Sequence, residues 1–176
     1  MKIDVTSIII AHWQTLYNAE KKRTSYFDIC AFYVTPVILA VITYASGVQF
    51  KPDHYNASIT FFGIFLALLL NIQVAIFAIF QRKWEPRLDP RQASLQTQEL
   101  ADRRQLLAEL NVNISYLIVF SCGSIALILV FFISSIEIGP SVIVLLYVHF
   151  LLTFLMIVKR SHALFQKEYR DSPRAD

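Results

Sequence analysis

The sequence predicts an all-α membrane protein with four transmembrane helices and helical cytoplasmic extensions. Of its 176 residues, 56% are hydrophobic and only 16% are charged, whereas an average globular domain has about 25% charged residues. A soluble domain of this size cannot bury so much apolar surface. Charged residues are also absent from four long runs, which are 29–50, 55–81, 110–136 and 138–158.

Each charge-free run exceeds the roughly 20 apolar residues that a helix needs to cross a hydrocarbon core about 30 Å thick. The runs are continuously apolar and lack the polar alternation of membrane β-strands. We place the spans at 27–45, 59–80, 113–135 and 140–158. They form two transmembrane hairpins, covering residues 26–81 and 113–158.

The distribution of Lys and Arg predicts the orientation. The segments before the first span, between the second and third spans, and after the fourth span contain four, six and five of these residues, and the two short connections contain only Lys51. Basic residues favour the cytoplasmic side of a membrane. Both termini and the central segment are therefore expected in the cytoplasm, as in a multi-pass inner-membrane protein.

The first cytoplasmic segment, residues 1–25, is predicted to form an amphipathic helix. Ile9, Trp13 and Tyr17 recur at helical spacing and share one face. Two arrangements are open for this helix. It either continues into the first span, or lies flat in the headgroup region with Trp13 and Tyr17 as membrane anchors.

The central and C-terminal segments, residues 82–112 and 159–176, are also predicted to be helical. Asp89 and Pro90 are typical of a helix N-cap and first helical position. From there the sequence favours one helix that continues to about residue 135. Trp84, beside two basic residues, is a further candidate for a membrane anchor.

These cytoplasmic helices are candidates for binding a cytosolic protein. Their leucines indicate either a narrow seam packed on the chain itself or an interface with an oligomer or partner. The candidate partner-binding residues are Arg87, Arg91, Arg103, Arg104, Leu106, Lys167 and Arg170. Topology and anionic lipid headgroups account for the modest basic excess, so direct binding of nucleic acid is not expected.

Polar side chains inside the predicted spans allow two interpretations. Such side chains pair across helices and stabilise a bundle or homo-oligomer, or they line a pore. His149, halfway along the fourth span, is either a structural hydrogen-bonding group or a proton-sensing group. The candidates for a pore or helix contact are Asn71, Gln73, Ser121, Ser124 and His149.

The sequence contains no complete catalytic or metal-binding motif. Cys30 and Cys122 are isolated, and the four histidines are scattered along the chain. Redox chemistry would need paired cysteines, and a zinc site would need clustered His or Cys ligands. We therefore expect a non-enzyme without a catalytic residue, bound metal or cofactor. A small proton-linked transporter would need a deep ionisable group, and no carboxylate is deep here.

The arrangement resembles the membrane subunits of bacterial Kiwa antiphage systems (KwaA) in size, four spans, small outer hairpins and a helical cytoplasmic face. This resemblance implies a homotetrameric sensor of phage infection in the bacterial inner membrane, which recruits a cytosolic DNA-binding partner. The leading hypothesis is thus an oligomeric sensor or scaffold that docks a cytosolic partner in antiphage defence. The alternatives are an oligomeric pore that depolarises the cell and a small proton-linked transporter.

Overall fold

The computed structural model describes residues 5–15, 17–18, 23–24, 30–81, 90–134 and 137–171, nearly all of them helical. The N-terminal part contains helix α1 (Val5–Thr15), followed by two short antiparallel strands, β1 (Tyr17–Asn18) and β2 (Arg23–Thr24). A π-helical turn (Cys30–Val34) leads into α2 (Thr35–Ala45). Three long helices complete the fold, namely α3 (Pro52–Phe80), α4 (Pro90–Ser134) and α5 (Gly139–Asp171).

The three long helices agree with the predicted second, third and fourth spans. Helix α3 and residues 103–134 and 139–163 of the other two are each long and apolar enough to cross a membrane. The predicted continuous helix from about residue 90 is confirmed, because α4 runs without a break from Pro90 to Ser134. Helix α5 likewise continues through the predicted span into the C-terminal segment.

The predicted first span is shorter than expected. The structure has an apolar helix at Cys30–Ala45, with 16 residues, which corresponds to about 24 Å. Residues 27–29 lie outside the described residues. Pro36 has no N–H to donate to the carbonyl of Phe32, and the chain forms the wider π-helical turn just before it. The described residues thus contain three membrane-length helices and one shorter apolar helix.

Helix α4 carries the central seam of the bundle and packs against both α3 and α5. Apart from Asn113, its buried residues recur at alternating intervals of three and four, which is the heptad spacing of left-handed helix packing. They are Leu107, Leu110, Ile114, Leu117, Ser121, Ser124, Ile128 and Phe131. The same spacing occurs in α5, at Ile143, Leu146, Phe150, Thr153 and Ile157. The leucines at 107 and 110 therefore pack on the chain itself.

Aromatic rings fill the space between α3 and α5. Phe150 is fully buried, and its ring centroid lies 5.5 Å from that of Phe62 and 5.1 Å from that of Phe65. Both pairs have the edge-to-face geometry that aromatic rings favour. This cluster joins α3 to α5.

The outer surface of the bundle is strongly apolar. Val74, Phe77 and Ile133 are 70%, 63% and 79% exposed. Among the described residues, α2 packs along α5 and not along α3, its partner in the predicted first hairpin. A surface of this kind needs lipid or another protein to cover it.

Helix α1 ends at Thr15, so the alternative of one helix from the N-terminal segment into the first span is wrong. It packs on α4 through a face that the sequence did not indicate. His12 is 1% exposed, whereas Ile9 and Trp13, on the predicted apolar face, are 39% and 57% exposed. The polar partners of His12, described below, explain this orientation. We call the end of the bundle near α1 the terminal end, and the end with the 46–51 loop the hairpin end.

Candidate functional site

A cluster of hydrogen-bonded polar side chains lies where α1, the π-helical turn, α4 and α5 meet. We call it the polar junction. It consists of His12 and Thr15 from α1, Glu109, Asn113 and Tyr116 from α4, and His149 and Arg160 from α5. Burying polar groups is favourable only when they are hydrogen-bonded, so these contacts fix how the four elements meet.

The contact between His12 and Asn113 attaches α1 to α4. The Asn113 amide nitrogen donates to the backbone carbonyl of Glu109 at 2.8 Å, which leaves its amide oxygen as an acceptor. The Nδ1 atom of His12 lies 2.8 Å from that oxygen and therefore carries a proton. The Thr15 hydroxyl is 2.9 Å from the same oxygen and 2.7 Å from the His12 carbonyl, so its single proton serves one acceptor at a time. Asn113 is fully buried and supplies the main acceptor for α1.

Arg160 connects the end of α1 to both long helices. Its guanidinium donates to the backbone carbonyl of Thr15. It also lies 3.4 Å from the carboxylate of Glu109, and these two side chains are 20% and 33% exposed. The ion pair thus forms the partly solvated edge of an otherwise buried cluster. Helix α1 ends next to this cation, which favours the carbonyl end of a helix.

Tyr116 links the two histidines. Its ring stacks on that of His12, with centroids 3.9 Å apart and planes 1° from parallel. Its hydroxyl lies 2.8 Å from the Nε2 atom of His149. A continuous series of side-chain contacts therefore runs from His12 of α1 through Tyr116 of α4 to His149, in the middle of α5.

The second nitrogen of His149 reaches the π-helical turn. Its Nδ1 atom lies 3.1 Å from the carbonyl oxygen of Phe32, the carbonyl that Pro36 leaves without an α-helical donor. A carbonyl only accepts, so Nδ1 carries the proton. In the neutral ring Nε2 is then an acceptor, and the Tyr116 hydroxyl donates to it. His149 thus replaces the donor missing at the start of α2.

The polar junction links the position of α1 to the interior of the bundle, and it contains a group that can be protonated, His12. A displacement of α1 would break the stack on Tyr116 and alter the bond to His149, which holds the π-helical turn. Within the described ranges, no group of three or more His, Cys, Asp or Glu side chains could hold a metal ion. The polar junction thus joins α1, at the terminal end, to the π-helical turn inside the bundle.

Protonation of His12 should weaken the attachment of α1. Burial lowers the pKa of His12 from 6.5 to about 4, the Asn113 hydrogen bond opposes this, and His149 and Arg160 add to the lowering. The other ionisable groups at the junction are Glu109, Tyr116 and Tyr33. Since the docked form binds fewer protons between these two pKa values, docking is strongest above pH 6.5 and weakens by about 1.4 kcal/mol per pH unit down to about 4.

Hydrogen exchange at residues 5–15, corrected for the intrinsic rate at each pH, would measure this effect. We expect protection of α1 to fall by about tenfold per unit below pH 6. The variant His12→Gln keeps an amide donor that does not titrate in this range, so its protection should be far less dependent on pH. An equal loss of protection in both proteins would assign the effect to another group.

The predicted partner-binding residues are only partly described. Arg104 is exposed on α4, and Arg103 and Leu106 beside it are half-buried. Arg91, Lys167 and Arg170 lie within α4 and α5, but their side chains are outside the description, as is all of Arg87. The described members therefore form one short stretch of α4.

The predicted pore residues do not share one environment. Ser121, Ser124 and His149 are buried inside the bundle. The amide of Gln73 donates to the Ser115 hydroxyl at 3.0 Å, and Asn71 is exposed among apolar residues of α3. Within the described part of the chain, the hydroxyls of Ser121 and Ser124 have no hydrogen-bond partner. The five residues divide between the interior and the outer surface.

The predicted membrane anchors can be assessed only at Trp13. Its side chain is exposed, and its ring centroid lies 5.3 Å from that of Tyr33. The side chain of Tyr17 and all of Trp84 are outside the described residues.

Sequence reasoning missed most of the polar junction. His12 was considered only as an isolated histidine, and Thr15, Glu109 and Tyr116 were not singled out. His12 and Asn113 are 101 residues apart in the chain, and Arg160 and Thr15 are 145 apart. One local signal was present, because Pro36 necessarily frees the carbonyl four residues before it. Comparisons with protein-family models, curated proteins and solved structures found no match to this chain.

Proposed function

We propose that this protein is an oligomeric sensor or scaffold of the bacterial inner membrane that docks a cytosolic partner in antiphage defence. The observation that carries the proposal is the polar junction. It ties α1 to α4 and α5, the two helices that extend beyond the apolar segments at the terminal end. A partner bound at that end would act on elements directly connected to the bundle interior.

The apolar outer surface supports the membrane location. Side chains such as Val74 and Phe77 are exposed along helices of membrane length. Nearly all Lys and Arg residues belong to the sequence segments before the first predicted span, between the second and third, and after the fourth, which the positive-inside rule assigns to the cytoplasm. Both termini are cytoplasmic in this arrangement, and the hairpin end faces outwards.

In this proposal the π-helical turn and α2 form the first of the four predicted spans. Their combined length of about 24 Å is somewhat less than a hydrocarbon core of about 30 Å. His149 satisfies the carbonyl of Phe32 inside the bundle. Such a partner is required for a helix interruption at membrane depth.

The proposed docking surface consists of helix ends at the terminal end. Helix α4 begins at Pro90, 20 residues before the charge-free run that starts at Leu110, and so extends about 30 Å beyond that run. Helix α5 continues for 13 residues past Val158, where the last charge-free run ends. Exposed Ile9, Ile10 and Trp13 on α1 add apolar surface there. A homo-oligomer formed by the exposed flanks of the bundle would present several copies of this surface.

Charge reversal at Arg104 should disrupt partner binding. Arg104 is exposed on α4, before the charge-free run that starts at Leu110, so Arg104→Glu changes the docking surface without removing a buried contact. We expect the variant to bind the partner about tenfold more weakly, as repulsion replaces an attraction at the interface. The measurement is crosslinking in cells, identification of the captured protein, and titration with that protein after purification.

The matched control is Lys51→Glu, a charge reversal at an exposed residue of the hairpin end. It should leave the affinity unchanged. The proposal fails if no cytosolic protein is captured by the native chain, or if both variants bind a purified partner as tightly as the native protein does.

A further inference from the structure

A cavity of about 760 Å³ opens at the hairpin end of the bundle. It lies under the loop that joins α2 to α3, near the turn that joins α4 to α5. Its volume is within the range of about 300–1,000 Å³ that small-molecule sites occupy. The cavity is remote from the polar junction and from the proposed docking surface.

Aromatic rings form much of the cavity wall. The lining aromatic residues are Tyr44, Phe50, Tyr55, Phe131 and Phe132. The ring of Tyr55 lies 5.9 Å from that of Phe50, edge to face, and 5.8 Å from that of Phe132, so these three form a connected group. Gly139 allows this arrangement, because a Cβ atom there would lie 2.9 Å from the Tyr55 hydroxyl.

The charged side chains that line the cavity indicate which class of ligand it favours. Among the described residues that line it, Glu137 has the one charged side chain, and none of them is Lys or Arg. An anion would meet the carboxylate without a compensating cation. Aromatic faces attract organic cations through their quadrupoles, and a carboxylate adds direct attraction. We propose that this cavity binds an organic ammonium cation, with Glu137 as the counter-charge and the Phe50, Tyr55 and Phe132 rings as its aromatic wall.

Two sources could supply the ammonium group. One is a free alkylammonium compound in the external medium. The other is the headgroup of a zwitterionic phospholipid such as phosphatidylethanolamine, since the hairpin end would lie at the outer leaflet in the proposed orientation. The inference goes beyond the docking function, and binding of a free cation in detergent depends on neither the membrane orientation nor a cytosolic partner.

The test uses the full chain, purified in detergent and stripped of lipid. Calorimetric titration with benzyltrimethylammonium measures binding of a free cation. Native mass spectrometry with added phosphatidylethanolamine or phosphatidylglycerol measures preference for the ammonium headgroup. We expect Glu137→Gln to weaken binding by about tenfold through loss of the counter-charge. Phe132→Leu keeps the wall apolar but removes a π face, and should weaken binding by about threefold.

Asp53→Asn is the matched control, because Asp53 is an exposed carboxylate near the same end that does not line the cavity. It should bind the probes as the native chain does. Thermal unfolding of each variant separates loss of the site from loss of the fold. Glu137-dependent binding of benzyltrimethylammonium, or Glu137-dependent preference for phosphatidylethanolamine, supports the proposal and identifies the source. Absence of both, or equal effects of Glu137→Gln and Asp53→Asn in folded protein, overturns it.

Discussion

Replacing Asn113 with leucine is expected to release α1 from the bundle while the long helices stay folded. Leucine has the same branched skeleton of four side-chain heavy atoms but offers no acceptor, so the Nδ1–H of the buried His12 loses its partner. An unpaired buried donor of this kind costs about 2 kcal/mol, which corresponds to roughly a thirtyfold rise in the undocked population. Hydrogen exchange at residues 5–15 would measure that population directly.

The matched control for this experiment is Asn111→Leu. Asn111 lies two residues away on the same helix and is only half-buried. Exchange in α1 should remain as in the native chain. If Asn113→Leu also left α1 protected, the polar junction would not be what holds that helix, and its suggested role as a connection would be lost.

Replacing Phe150 with alanine is expected to have the largest effect on stability. Its ring is fully buried and lies within 6.2 Å of four other rings, those of Phe61, Phe62, Phe65 and Phe154. A void in this cluster loses dispersion contacts whether the outer surface faces water or lipid. We expect a loss of about 3 kcal/mol in the free energy of unfolding and a fall of about 10 °C in Tm.

Phe77→Ala provides the comparison, because this ring is 63% exposed on the outer surface of α3. Its Tm in detergent should change by less than about 2 °C. Equal destabilisation by the two substitutions would contradict the assignment of the core to the ring cluster between α3 and α5. A larger effect at Phe77 would instead place an oligomer interface on that surface.

The long helices were predictable because their signals are local. Charge-free runs gave the three membrane-length segments, and the absence of Gly and Pro between residues 91 and 122 gave the unbroken course of α4. Pro90 marked the start of α4 correctly, because proline favours the first position of a helix. Each of these properties depends on neighbouring residues in the chain.

The first span shows where local signals were insufficient. Its charge-free run from residue 29 to residue 50 suggested a full crossing, but the regular helix extends only over Thr35–Ala45 after the π-helical turn. Hydropathy does not register the backbone bond that Pro36 removes. Whether the freed carbonyl of Phe32 can remain buried depends on a donor from another helix, and His149 provides it.

The face by which α1 docks was also not readable from its own sequence. Apolar spacing pointed to Ile9 and Trp13, yet the buried residue is His12. A histidine is buried favourably only when acceptors and ring partners stand opposite it. Asn113 and Tyr116 fulfil that condition, and they belong to a helix that begins 75 residues after α1 ends.

The sequence by itself determined that this protein is helical, that three of its helices have membrane length, and that its basic residues belong to the segments around them. Composition and local spacing are enough for this, because apolar runs and helix punctuation act along the chain. Only the tertiary structure decided which polar residues meet at the polar junction and which aromatic rings line the cavity at the hairpin end. Those contacts join residues far apart in sequence, and they become favourable only when packing excludes water and brings donors and acceptors together.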